Sequence, residues 1–177
     1  MKIRIALAAA ALFAGRILVA APEPAATPPS PEVQKLSYFV GEWTSESDIH
    51  PGPMGSGGKA TGTSKCRWLD GNYFVSCQDE SSTPMGRMSG LGVLGYDKAK
   101  RVYTWSGFNN MGQAQVATGT VSGNTWTFAS QDDVGGKTMK TRYTLVETSP
   151  TAYTFKFEAS TDGMTWTPVI DGTVTKK

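Results

Sequence analysis

From Trp43 onward, short alternating runs rich in Thr, Val, Tyr, Phe and Trp are separated by glycine, asparagine and aspartate, and no stretch settles into a helical spacing. The run YTFKFEAS, Tyr153 to Ser160, shows the pattern. Tyr153, Phe155 and Phe157 share one face, and Thr154, Lys156 and Glu158 share the other. A two-residue period with one apolar face marks a strand that buries one side. TWTFAS at Thr125 to Ser130 and RYTLVE at Arg142 to Glu147 read the same way. Between such runs stand Asp70-Gly71-Asn72, Ser122-Gly123-Asn124 and Thr161-Asp162-Gly163. These residues tolerate positive φ and make tight hairpins. Strands are therefore expected to start near Glu42, Ala60, Tyr73, Met88, Arg101, Gln113, Thr125, Lys137, Ala152 and Thr165. About ten strands on short links pair with their sequence neighbours as an antiparallel meander. An all-β, up-and-down barrel closes such a meander and removes its exposed edges. A two-sheet sandwich is the structural alternative.

The start of the chain is different in kind. Met1 to Ala20 has a basic beginning at Lys2 and Arg4, an apolar run from Ile5 to Gly15, and small residues at Ala20 and Ala21. This is the layout of a secretory signal peptide, with cleavage expected after Ala20. Its apolar run is far short of the roughly 20 residues that span a bilayer, so no stable membrane insertion is expected once it is removed. Residues 21–31, rich in proline and alanine, cannot supply a hydrogen-bonded ladder and read as an extended linker. The folded domain is expected over 32–177, a length that suits one core. Without Lys2, Arg4 and Arg16, the chain keeps 14 basic residues against 15 acidic ones, a net charge of −1. No basic block interleaved with aromatics survives, so nucleic acid is not an expected partner. The expected compartment is the periplasm or the exterior.

One short helix precedes the strands. Ser30 is a suitable N-cap and Pro31 a suitable first residue, with Val33, Leu36 and Val40 on one stripe and Gly41 at the end. Gly41-Glu42-Trp43 then begins the first strand. This junction resembles the Gly-x-Trp start of the lipocalins and their calycin relatives. The resemblance implies that Gly41 turns the chain from helix to strand and that Trp43 packs across the barrel floor. Longer segments resemble the bacterial "domain of unknown function 1579" family. They are Leu94-Gly95-Tyr96-Asp97 ahead of Val102-Tyr103-Thr104-Trp105, Gly136-Lys137 ahead of Thr141-Arg142-Tyr143, and Ser160-Thr161-Asp162-Gly163 ahead of Trp166. The resemblance runs from about Leu36 to Lys176. It implies a lipocalin-like barrel, often exported, and brings no catalytic residues with it.

Several motifs are better read as structure than as chemistry. Gly90-Leu91-Gly92-Val93-Leu94-Gly95 has dinucleotide-fingerprint spacing, but it is followed by a turn and a strand, not a helix. The glycines are expected to leave room for a large neighbour or to let the strand coil. His50 is the only histidine and reads as an exposed loop residue. Asp132-Asp133 reads as a hairpin loop, since a calcium site needs six or more oxygens, and Ser160 to Trp166, one residue short of an aspartate-box spacing, reads as a hairpin turn too. A triad lacks a histidine held by a buried carboxylate, and a cysteine nucleophile lacks a base. No catalytic residue, metal site or cofactor is therefore assigned, and an enzymatic role is not expected.

Two readings of function remain. In the first, the barrel is an exported binding protein that holds a small, mostly apolar ligand. About ten strands usually leave a cavity, while eight can be packed solid. Trp43, Trp105, Trp126, Phe128, Arg142, Tyr143, Tyr153 and Phe155 are the cavity candidates. Arg142 and Tyr143 resemble in arrangement the late-strand pair with which small fatty-acid-binding barrels hold a carboxylate, although an arginine turned outward onto an acid is the alternative. In the second reading, a ligand-free barrel acts as an envelope interaction or assembly protein through its surface. The oligomeric state is not readable. Cys66 and Cys77 are the only cysteines. If the turn between them takes four residues, Asp70 to Tyr73, they face one another and a disulfide is expected. A three-residue turn would put them one step out of register.

Overall fold

The structure, a computed structural model, describes residues 28–52, 56–134 and 136–177. The expected signal segment, 1–20, and most of the expected linker lie outside the described residues. A single turn and a half of helix, α1 (Pro31–Lys35), tightens into a 3₁₀ turn over Leu36–Phe39. Ten strands follow: β1 (Gly41–Ile49), β2 (Gly58–Trp68), β3 (Val75–Thr83), β4 (Gly86–Asp97), β5 (Val102–Asn109), β6 (Ala114–Ser122), β7 (Thr125–Val134), β8 (Lys137–Ser149), β9 (Ala152–Ser160) and β10 (Thr167–Lys176). Each is antiparallel to its sequence neighbours, and β10 returns to pair with β1, from Trp43↔Lys176 to Ile49↔Ile170. The sheet is a closed up-and-down barrel and not a sandwich. Each strand start lies within two residues of the position expected from the turn signals.

The helix differs from expectation in two details. Ser30 occupies the N-cap position, but its hydroxyl donates to Glu32 Oε2 at 2.7 Å and caps no backbone N–H. The buried stripe is Val33, Leu36 and Phe39, with Val40 only half-buried. The 3₁₀ turn explains the change, because three residues per turn bring every third side chain to one face. Gly41 then takes φ 133°, outside the range of other residues, and a Cβ there would lie 2.6 Å from Lys176 Cε.

This segment plugs one end of the barrel. Leu36 is fully buried, Phe39 meets Trp126 at 4.9 Å between ring centres, and the Trp43 indole N–H donates to the Phe39 carbonyl at 2.7 Å. The Tyr103 hydroxyl reaches the Glu32 carbonyl at 3.1 Å, and the Tyr38 hydroxyl reaches that of Ala152 at 2.8 Å. Trp43, at 2% exposure, packs on Tyr153 across the floor, as the lipocalin resemblance implies. The four connections β2–β3, β4–β5, β6–β7 and β8–β9 share this closed end with the plug, and the opposite end is the mouth.

At the mouth, β10 carries Pro168, which has no N–H to give the ladder. The register shifts between Pro168 and Ile170, a bulge that accommodates the proline. His50 closes over this bulge. Its backbone N–H donates to the Val169 carbonyl at 2.8 Å, and its Nε2 lies 2.6 Å from Asp171 Oδ2. The expected exposed loop histidine does lie outside any strand, and it is partly exposed and hydrogen-bonded to Asp171. The residue follows a strand whose partner presents a carboxylate, which its own sequence neighbourhood does not reveal.

Candidate functional site

Strand alternation divides the wall into an inner and an outer surface, and the inner surface encloses a cavity of about 370 Å³. That volume falls at the small end of ligand pockets, roughly 300–1,000 Å³. Six of the eight sequence candidates line it: Trp43, Trp105, Phe128, Tyr143, Tyr153 and Phe155. The Tyr143 and Phe155 rings stack at 5.5 Å, and Phe157 lies 6.4 Å from Tyr143. Burial pushes the phenols of Tyr143 and Tyr153 well above the ordinary tyrosine range, so both stay protonated.

Trp105 owes its place to glycines. It sits on β5 opposite Leu94, and its ring lies over Gly92 of β4, where a Cβ would come within 1.8 Å of the indole Cη2. Part of the glycine run that mimics a dinucleotide fingerprint therefore serves as a seat for an aromatic ring, as the sequence suggested.

Two candidates stand elsewhere. Trp126, at 1% exposure, lies under the cavity, between Phe39, Tyr103 and Phe128, with its indole N–H donating to Glu147 Oε1 at 2.6 Å. It supports the floor from below. Arg142 faces outward. Its guanidinium donates to Glu158 Oε2 at 2.7 and 3.0 Å and stacks over Trp166 at 4.2 Å. Lys156 completes the group, 2.8 Å from Glu158 Oε1. Hydrogen bonds from Lys156 and then Arg142 hold the Glu158 carboxyl below its ordinary range against the opposing effect of burial. Arg142 cannot share the cavity with Tyr143, because consecutive residues of a strand point to opposite faces.

The polar lining lies at residues that sequence reasoning did not select. Asp79 on β3 faces inward opposite Ser64 on β2, and the Ser64 hydroxyl donates to Asp79 Oδ1. Desolvation raises the Asp79 carboxyl above its ordinary value, offset in part by that hydrogen bond. Across the barrel, Gln115, Ser130 and Thr141 form a neutral cluster. Ser130 and Thr141 share a hydrogen bond of 2.7 Å, and Gln115 Nε2 donates to Ser130 Oγ at 3.1 Å. The signal for Asp79 was present in the cysteines. Once Cys66 and Cys77 face each other across a buried surface, the residue two beyond Cys77 must share that surface.

Cys66 and Cys77 do pair, with Cα atoms 4.0 Å apart, and their disulfide lies on the inner wall beside the cavity. Leu69 donates to the Phe74 carbonyl at 2.8 Å, which fixes the four-residue turn. Among the described residues, no three His, Cys, Asp or Glu side chains come together as a metal site. No helix among them is long and apolar enough to cross a membrane. A second hollow, about 670 Å³, lies on the outer wall across β10, β1, β2 and β3. It is shallow, open to solvent and lined by Thr44, Thr61, Thr63, Thr173 and Thr175 with Glu46 and Glu80, so it lacks the enclosed apolar wall of the inner cavity.

A model of the family described as "Protein of unknown function (DUF1579)" matches residues 28–176. No curated protein matches the sequence. Among solved structures, the chain is similar to Rv2717c from M. tuberculosis, at 13% identity and a TM-score of 0.57, over 84% of this chain and 98% of that one. It is also similar to the S-type phycobiliprotein lyase CPES from Guillardia theta, at 11% identity and a TM-score of 0.57, over 81% and 91% of the two chains. Likeness at such identities is a likeness of fold.

Proposed function

The chain belongs to the DUF1579 family, which carries no assigned activity, and from the barrel itself we propose that it is a non-enzymatic binding protein for a small, mostly apolar ligand. The observation that carries this reading is the enclosed cavity of about 370 Å³, walled by Trp105, Phe128, Tyr143, Phe155 and Phe157 and plugged at one end by the N-terminal helical segment. A barrel built only for its outer surface gains nothing from that hollow, since unfilled apolar volume costs stability. Aromatic and aliphatic side chains make up most of its wall, with a smaller polar set, as expected of a pocket for a mostly apolar molecule.

In this reading, residues 32–177 are the binding domain, 21–31 its tether, and 1–20 a removable export signal. The protein works in the periplasm or outside the cell. The buried disulfide supports an oxidising compartment. Fractionation of the native host checks the address, and intact mass checks the cleavage after Ala20. Full-length protein with Met1, recovered from the cytosol, overturns it.

Calorimetric titration with methylnaphthalene, a neutral probe that fits the space, tests binding. One saturable site is expected. Trp105→Ala should weaken it, and Ala117→Phe, which fills the cavity from its wall, should abolish it with the circular dichroism of the barrel unchanged. Absence of saturable binding, or binding indifferent to Ala117→Phe, overturns the cavity reading and leaves a barrel that acts through its surface.

A further inference from the structure

We propose that the cavity selects ligands bearing a hydrogen-bond-donating or cationic group, such as a primary amine, seated on Asp79, and that it rejects carboxylates. This deepens the reading of the barrel as a binding protein and rests on it. Among the described residues that line the cavity there is no lysine, arginine or histidine, and Asp79 is the one acidic side chain. The arginine that a carboxylate-binding barrel would need stands on the outer face, held by Glu158 and Trp166.

The surroundings of Asp79 are arranged to accept a donor and not to hold a second anion. Ser64 occupies Oδ1, and among the described residues no other protein group donates to the carboxylate. The second oxygen is therefore available to the cavity. Tyr143 and Tyr153 lie close enough for Asp79 to disfavour their ionisation, and they offer neutral hydroxyls but no positive charge. The remaining polar groups, Gln115, Ser130 and Thr141, are neutral and already bonded to one another. A ligand carboxylate would thus bring a like charge into a poorly solvated space with nothing to balance it. An ammonium would make a charge-assisted hydrogen bond to Asp79 and meet aromatic faces that favour cations.

A bound donor would offset the desolvation that raises the Asp79 carboxyl. With Arg142 on the outer face, held by Glu158, the late-strand Arg-Tyr arrangement of carboxylate-binding barrels is not present inside this cavity.

Calorimetric titration of the full barrel with three probes on one ring system tests the inference: naphthylmethylamine, methylnaphthalene and naphthoate, at neutral pH. The amine should bind about tenfold or more tighter than the neutral probe, a gap set by one charge-assisted hydrogen bond, and naphthoate weakest of all. Asp79→Asn should bring the amine down to the affinity of the neutral probe. The ranking on the unsubstituted protein needs no variant, so a poorly folded variant cannot rescue or sink it. Naphthoate binding as tightly as the amine, or a ranking that survives Asp79→Asn, overturns the charge selection while methylnaphthalene binding leaves the cavity reading standing. Failure of all three probes to bind overturns both.

Discussion

Arg142 and Tyr143 are adjacent on β8 and face opposite media. The phenol enters the cavity, and the guanidinium lies outside, 2.7 Å from Glu158 Oε2 and 4.2 Å from the centre of the Trp166 ring. Glu158 is buried at 6% exposure, so losing one of its two cationic partners leaves a desolvated carboxylate under-bonded. Arg142→Ala should cost about 1–2 kcal/mol, because Lys156 remains. Urea unfolding measures this, and affinity for a cavity probe should be unchanged. A loss of affinity with no loss of stability would place Arg142 at the ligand after all.

The bridge between Cys66 and Cys77 closes a loop of sequence separation 11. Replacing both by serine should lower stability by roughly 2–3 kcal/mol through the freed unfolded chain. Alkylation followed by mass spectrometry should label neither residue in the folded, unreduced protein and both after reduction in denaturant. Ready labelling of the native oxidised protein would contradict the pairing.

A methyl group at Gly92 would meet the Trp105 ring at 1.8 Å, far inside contact distance. Gly92→Ala should displace the indole and destabilise the barrel by about 1–3 kcal/mol, the usual range for overpacking. The displaced ring should shift the tryptophan emission, and affinity for methylnaphthalene should fall. Unchanged emission would show that the ring does not rest there.

Asp79 gives a pH signature of defined sign. Its folded carboxyl titrates above the unfolded value of 3.8, because burial disfavours the anion. Between those two values the native state holds the extra proton, so this residue lowers stability as pH rises through that interval and keeps it lowered above. Asp79→Asn should therefore melt higher than wild type at neutral pH, and the difference should shrink as pH falls toward the unfolded value. Subtracting the two melting curves removes groups with the opposite behaviour, such as Glu158, whose carboxyl is held low. A difference that grows on acidification would mean that Asp79 is stabilised as an anion.

The architecture was legible because alternation and turn chemistry are local. Asp70-Gly71-Asn72 fixed a hairpin, the hairpin fixed the Cys66↔Cys77 register, and repeated turns of this kind set ten strands within two residues of their places. Tyr153, Phe155 and Phe157 declared their face by the company they keep. The site was less legible where it depends on a polar residue that breaks the pattern. On β3 the run Cys77-Gln78-Asp79-Glu80 alternates no obvious apolar face, so Asp79 looks like surface unless the register is carried forward from the disulfide. Arg142 stood among the cavity candidates with an outward position on an acid as the alternative, and the structure places it outward, since its neighbour Tyr143 points inward. Its true partners, Glu158 and Trp166, come from β9 and the connection after it, and only the assembled sheet brings them to one side. The His50–Asp171 contact was not legible for the same reason, because its members stand 121 positions apart.

The seam between β1 and β10 has a consequence for how the barrel comes into being. Every other pairing joins strands that follow one another along the chain, so each can zip from its own turn at small entropic expense. Trp43↔Lys176 and its companions join the two extremes of the sheet, and nothing local brings them together. Closure is therefore the slow, non-local step, and it cannot begin until Thr167–Lys176 is available. Until then β1 and the latest strand present unpaired backbone to any neighbouring chain. The growing protein spends its assembly as an open ribbon, and the last ten residues of the sheet act as the clasp that ends that exposure.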